Sequence, residues 1–251
     1  MNDHVVDDQI HQWHTPPAKP ALARDQVHLW RVWLEASEAD RHELAQVLSS
    51  SERERAARFH FARDRERFIV GRGALRVILA GYLHIRPNQV EFCYGAYKKP
   101  ALVSRQRSLE FNISHSHNVL VAAVSVGRVV GVDVERIRPL DDFEGMAKRF
   151  FSPAEYEALA AVPPSLSLQS FFTCWTRKEA FVKALGQGLY CPLDQFDVSL
   201  KPGEPAALLR VQDDPQATAR WSMESLTPAL NYVGALVVDH GPCELEFWQY
   251  K

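Results

Sequence analysis

The pattern of elements in this chain repeats once along its length, and that repeat limits what it can fold into. A β-like run at 28–34 leads into helices capped by Ser37 and Ser49. A long amphipathic helix over 64–83 follows, with Phe68, Leu75, Ile78, Leu79 and Tyr82 near helical spacing. Strands come next near 90–93, 109–113, 119–126 and 129–135, with Gly127-Arg128 as a tight hairpin turn between the last two. The second round has helices at 143–149 and 153–161, the latter capped by Ser152, and a long helix over 168–185 stopped by Gly186 and Gly188. Strands near 196–200, 220–224, 232–239 and 244–250 close it. Each half sets an Arg-Phe element before its long helix, Arg58-Phe59-His60-Phe61 and Arg149-Phe150-Phe151-Ser152. This order predicts two similar α+β lobes with a border near 121–130.

Size and composition support that architecture. A chain of 251 residues, 46% hydrophobic and 24% charged, buries enough surface to fold without a disulfide or a metal staple. The four cysteines are scattered, with no paired spacing, and read as unpaired thiols of a reducing cytoplasm. A net charge of −2 argues against nucleic-acid binding through bulk positive charge. The first residues lack the apolar core of a signal peptide, and no stretch approaches the length of a membrane span. A soluble cytoplasmic protein is expected. Residues 1–26, with the run Thr15-Pro16-Pro17-Ala18-Lys19-Pro20, are expected to form a flexible tail in which His4, His11 and His14 are solvated. An N-terminal lobe over 27–124 and a C-terminal lobe over 125–251 follow.

Four local features carry chemistry. In Val129-Val130-Gly131-Val132-Asp133-Val134-Glu135, strand alternation turns Asp133 and Glu135 to one face and the valines to the other, so the two carboxylates can converge on one cation. In Trp175-Thr176-Arg177-Lys178-Glu179-Ala180-Phe181-Val182-Lys183, Glu179 and Lys183 stand one helical turn apart. Eight arginines crowd into 53–76 beside only Glu54, Asp64 and Glu66, a concentration suited in part to phosphate oxygens and in part to a solvated helix face. The fourth is Phe111-Asn112-Ile113-Ser114-His115-Ser116-His117, preceded by Lys98-Lys99-Pro100. Adjacent strand residues face opposite ways, which argues against a Ser114–His115 catalytic dyad, and contact with phosphate or ribose is the simpler reading. Acids for Mg²⁺, a nearby lysine and further cations describe a site for a polyphosphorylated small molecule. Neither a P-loop nor a Rossmann glycine motif is present.

At these residues the sequence resembles the 4′-phosphopantetheinyl transferases of the Sfp type. The matching stretches are Phe111 to His115, Gly131 to Glu135, Phe150-Phe151-Ser152-Pro153-Ala154-Glu155, and Trp175 to Lys183 with Gly186-x-Gly188. The resemblance implies two pseudo-symmetric lobes, each a small antiparallel sheet packed on a long helix, with the active site in the cleft between them. It implies Mg²⁺-dependent transfer of the phosphopantetheine arm of coenzyme A to a serine of an apo acyl or peptidyl carrier protein, releasing adenosine 3′,5′-bisphosphate. The carrier would serve fatty-acid, polyketide or nonribosomal peptide synthesis, and two lobes in one chain make a monomer the expected state. By the same resemblance Asp133, Glu135 and Glu179 surround the metal, and Lys183 contacts the pyrophosphate. Arg55, Lys98, Lys99, Ser114 and His115 contact coenzyme A, with Ser114 and His115 at the nucleotide end. Glu179 is the expected base for the serine proton, with Asp133 and Lys183 completing the catalytic set. Where the family often has Gly-Lys-Pro, this chain has Lys98-Lys99-Pro100. Two other readings fit the same residues: a Mg²⁺-dependent nucleotide pyrophosphatase or phosphodiesterase, and a non-catalytic module that binds coenzyme A or a carrier.

Overall fold

A computed structural model describes residues 10–95, 99–103, 108–186, 188 and 191–251. The chain runs β1 (Gln26–Trp33), α1 (Glu38–Gln46), α2 (Ser50–Ala57), α3 (Ala62–Leu83), β2 (Phe92–Tyr94), β3 (Pro100–Leu102), β4 (Leu109–Ser116) and β5 (Val119–Val126). It continues through β6 (Val130–Arg136), α4 (Phe143–Phe150), α5 (Pro153–Ala160), α6 (Pro164–Leu185), β7 (Phe196–Val198) and β8 (Leu208–Val211). Last come α7 (Ala217–Arg220), β9 (Trp221–Leu226), β10 (Tyr232–Asp239) and β11 (Glu244–Tyr250).

Two sheets make the lobes, one ordered β11-β1-β5-β4 and the other β6-β10-β9, and short ribbons β2-β3 and β7-β8 accompany them. Strand alternation sorts their residues into layers. Leu120, Ala122 and Val124 of β5 pack with Leu75 and Leu79 of α3. Val119, Val121 and Ala123 instead meet Val130, Val132 and Val134 of β6 in a dry seam between the sheets. Ala180, Phe181 and Ala184 of α6 pack with Ala235 and Val237 of β10 on the far side. The order of layers is therefore helix, sheet, sheet, helix.

The pseudo-symmetry reaches fine detail. The helices α3 and α6 each have 22 residues and end on a left-handed residue, His84 and Gly186. Each is preceded by a short helix with a reciprocal Ser–Glu cap, Ser49 with Glu52 and Ser152 with Glu155.

Four expectations are corrected. Gly127-Arg128 is not a hairpin turn, because β5 and β6 lie in different sheets. Arg128 is buried there, its Nε donating to the Asp239 carbonyl at 3.0 Å, and so ties the crossover to the end of β10. The C-terminal lobe does not extend to 251, and the first sheet is not wholly antiparallel, since β11 returns to lie parallel to β1 with Trp30 opposite Trp248. Nor is the whole of 1–26 a flexible tail. The His14 amide donates to Phe247 O at 2.9 Å, the Gln249 amide donates to His14 O at 2.8 Å, and Trp13 meets the edge of Phe247. Backbone groups at a sheet edge are satisfied this way.

Candidate active site

The site grows from the contact of β6 with α6. Gly131 lies so close to the helix that a Cβ there would stand 2.1 Å from Ala180 O and 2.4 Å from Ala184 N. Only glycine permits that approach. With the valines of β6 committed to the seam, Asp133 and Glu135 turn toward the side occupied by Glu179 and Lys183.

The strand β4 supplies the opposing wall. Its alternate residues Asn112, Ser114 and Ser116 all reach β6 across the join between the lobes. Asn112 Oδ1 accepts from the Val132 amide at 2.9 Å, and Ser114 Oγ donates to Asp133 Oδ1 at 2.7 Å. Ser116 Oγ donates to Glu135 Oε2 at 2.7 Å and accepts from the Arg136 amide at 3.1 Å. Lys183 Nζ completes the centre, 2.7 Å from Asp133 Oδ1 and 2.9 Å from Ser114 Oγ. Asp133 is 5% exposed, and its Oδ2 is buried without a hydrogen-bond partner among the described residues. An uncompensated carboxylate oxygen at such a depth is costly unless a cation or donor reaches it.

Electrostatics link the remaining acids to this centre. Burial raises the Glu179 pKa, and the Asp133 and Glu135 charges raise it further against the opposing effect of Lys183. Burial also raises the Glu135 pKa, offset by the hydrogen bond from Ser116 and reinforced by Asp133. The expected three-acid cage is nevertheless not closed. Among the described residues no group of three His, Cys, Asp or Glu side chains is gathered tightly enough to hold a metal ion. Three like charges repel, and here the Lys183 ammonium supplies the neutralising charge at Asp133.

The other expected ligands separate. His115 turns away from Ser114, to the opposite face of β4, and lines a cavity of about 480 Å³ with Arg55, Arg67, Arg72, Phe59 and Phe68. The cavity adjoins the carboxylate centre: burial lowers the His115 pKa, the Lys183 and Arg67 charges lower it further, and Asp133 opposes them. Arg55 holds its guanidinium 5.2 Å above the Phe68 ring at the cavity wall. Of the eight arginines, Arg76 is structural, donating to Glu52 Oε2 at 2.6 Å and to Val90 O at 2.8 Å. Lys98 lies outside the described residues. Lys99 does not line the cavity, and its Nζ donates to Lys183 O at 2.7 Å and Val130 O at 3.4 Å.

Sequence reading quoted Asn112 and Ser116 within the stretch from Phe111 to His117 but gave them no role, although polar residues at every second position of an apolar strand are a signal. It also missed Lys178, wholly buried, whose ammonium lies 2.7 Å from Glu155 Oε2 and 2.6 Å from the Leu193 and Phe196 carbonyls.

Comparison with known proteins matches both halves of the chain to one family. Residues 129–237 match the 4′-phosphopantetheinyl transferase superfamily, and residues 31–127 match the N-terminal part of 4′-phosphopantetheinyl transferases. The two lobes are thus the two halves of one transferase fold. The chain is 43% identical to the 4′-phosphopantetheinyl transferase HetI of Nostoc sp. over 96% of this chain and 99% of that one. A 4′-phosphopantetheinyl transferase of Bacillus subtilis is 36% identical over 67% of this chain and 72% of its own. Sfp of the same species is 30% identical over 65% of this chain and 71% of its own. The chain belongs to the 4′-phosphopantetheinyl transferase family and is of the Sfp type. Among the described residues no helix is long and apolar enough to cross a membrane.

Proposed function

We propose that this enzyme moves the 4′-phosphopantetheine arm of coenzyme A onto a serine hydroxyl of an apo carrier protein, with Asp133, Glu135, Glu179 and Lys183 at the reacting phosphate. The observation that carries the assignment is the buried Asp133 carboxylate, one oxygen shared by Lys183 and Ser114 and the other without a hydrogen-bond partner among the described residues. That orphaned oxygen, with two acids whose proton affinity is raised beside it, fits a divalent cation, and Asp133, Glu135 and Glu179, not gathered into a cage while Lys183 sits on Asp133, would draw in to hold it once that ammonium leaves. Mg²⁺ held there would neutralise charge on the pyrophosphate oxygens.

The chain's own groups do the rest. Lys183 moves its ammonium from Asp133 to the pyrophosphate, where the leaving oxygen gains charge. Glu179, a stronger base than a free carboxylate, takes the proton of the carrier serine as its Oγ attacks the phosphorus bearing the pantetheine arm. The bond between that phosphorus and the bridging oxygen breaks, and adenosine 3′,5′-bisphosphate leaves. The cavity beside His115, Arg55 and Arg67 holds the nucleotide end. The enzyme acts as a cytoplasmic monomer, a reading supported by its four free cysteines and its two lobes in one chain.

Mass spectrometry of an apo carrier protein incubated with the enzyme, coenzyme A and Mg²⁺ tests this. A gain of one phosphopantetheine unit is expected. Hydrolysis of coenzyme A with an unchanged carrier would overturn the reading in favour of a pyrophosphatase.

A further inference from the structure

We propose that Lys99 is a positioning residue, a clip that fixes the last turn of α6 and the start of β6 relative to each other. The inference rests on the transferase reading for its kinetic test and on geometry alone for its structural one. The last carbonyls of a helix have no partner within the helix. In α6 the Gly186 amide turns back to Val182 O, and Lys183 O takes the Lys99 ammonium at 2.7 Å. A cation at this end also suits the helix dipole. The same ammonium reaches Val130 O, on the first residue of β6, at 3.4 Å. One half-buried lysine therefore touches both elements that carry the charged centre: Asp133 and Glu135 on β6, Glu179 and Lys183 on α6.

The side chain arrives from the other lobe. Lys99 directly precedes β3, in the ribbon that follows α3, so its bonds also cross between the lobes. Its main-chain target is Lys183, the residue whose own ammonium sits on Asp133. A long side chain anchored in a fraying last turn loses its aim, and small misplacements of reacting groups are expensive in rate.

The two possible roles of Lys99 separate in kinetics. A substrate-contacting lysine, when removed, raises the KM for coenzyme A, whereas a positioning lysine lowers kcat and leaves that KM alone. For Lys99→Met, kcat is expected to fall about tenfold or more with the KM for coenzyme A within about twofold. Lys99→Arg, which keeps donors for the carbonyls, is expected to recover most of kcat. Amide exchange at Gly186, read in wild type and both variants, is expected to quicken in Lys99→Met and stay slow in Lys99→Arg. That arm stands even if no carrier is modified, and exchange in Lys99→Arg stands even if Lys99→Met fails to fold. A raised KM with unchanged kcat would assign Lys99 to the substrate, and Gly186 exchange unaltered in Lys99→Met, or accelerated in Lys99→Arg, would also overturn the clip.

Discussion

Asp133 gathers more of the site than any other side chain, and replacing it is the sharpest test of the charged centre. Asp133→Asn keeps the shape and one acceptor for Ser114 but removes the charge facing Lys183. Carrier modification is expected to drop by about 10²-fold or more, with the melting temperature little changed because Lys183 is partly exposed; a time course of modification followed by mass spectrometry checks it. Much of this centre was legible. The alternation of Val132, Asp133, Val134 and Glu135 announced which side chains share a face, and the spacing of Glu179 and Lys183 put them on one side of their helix. What could not be read was the third dimension. Alternation put Ser114 and His115 on opposite faces but did not tell that one would bond Asp133 and the other enter the adjoining cavity, because that depends on β4 meeting β6 along the join between two sheets.

At the scale of elements, the site depends on how closely β6 approaches α6. Gly131→Ala would drive a methyl group into the helix backbone, and neither Ala180 O nor Ala184 N can move without displacing α6. A loss of about 3 kcal/mol or more is expected, measured as a lowered urea midpoint. The buried pair behind the site makes a second prediction. Lys178→Met leaves Glu155 charged and buried, so about 3–5 kcal/mol should be lost, and Glu155→Gln in the same chain should recover part of it; urea titrations of the single and double variants decide. The two lobes share this device, since Glu52 pairs with Arg76 of α3 as Glu155 pairs with Lys178 of α6. Helices and long strands were readable because caps and periodicity are local. The three-residue strand β3, which opens on a proline, and the four-residue β8 were not, because each exists through its partner alone.

Across the whole molecule, acid sensitivity is built into the first sheet. His28 is 2% exposed, and its Nδ1 lies within hydrogen-bond distance of Tyr82 Oη, at 2.7 Å, while that hydroxyl accepts from Trp30 Nε1 at 2.8 Å. Burial lowers its pKa to about 4, so the folded ring stays neutral where the unfolded one, near 6.5, takes a proton. Stability from this group is present in full above pH 6.5 and declines as the pH falls from there toward 4, by about 2 kcal/mol between pH 7 and pH 5. Urea midpoints at the two pH values should show the loss, and His28→Gln should flatten it. The parallel pairing of β11 with β1 was the least legible feature of the fold, because it joins residues some two hundred positions apart in sequence and turns on no local signal. A chain stopped after residue 240 leaves β1 paired with β5 alone and exposed along its other edge, and should lose cooperative melting; a circular dichroism melt like that of the full chain would refute this. During translation, the first lobe must wait for its outermost strand until the ribosome has released all of the second. A reporter split between 127 and 129 would therefore yield two fragments that need each other to mature, rather than a pair of autonomous modules.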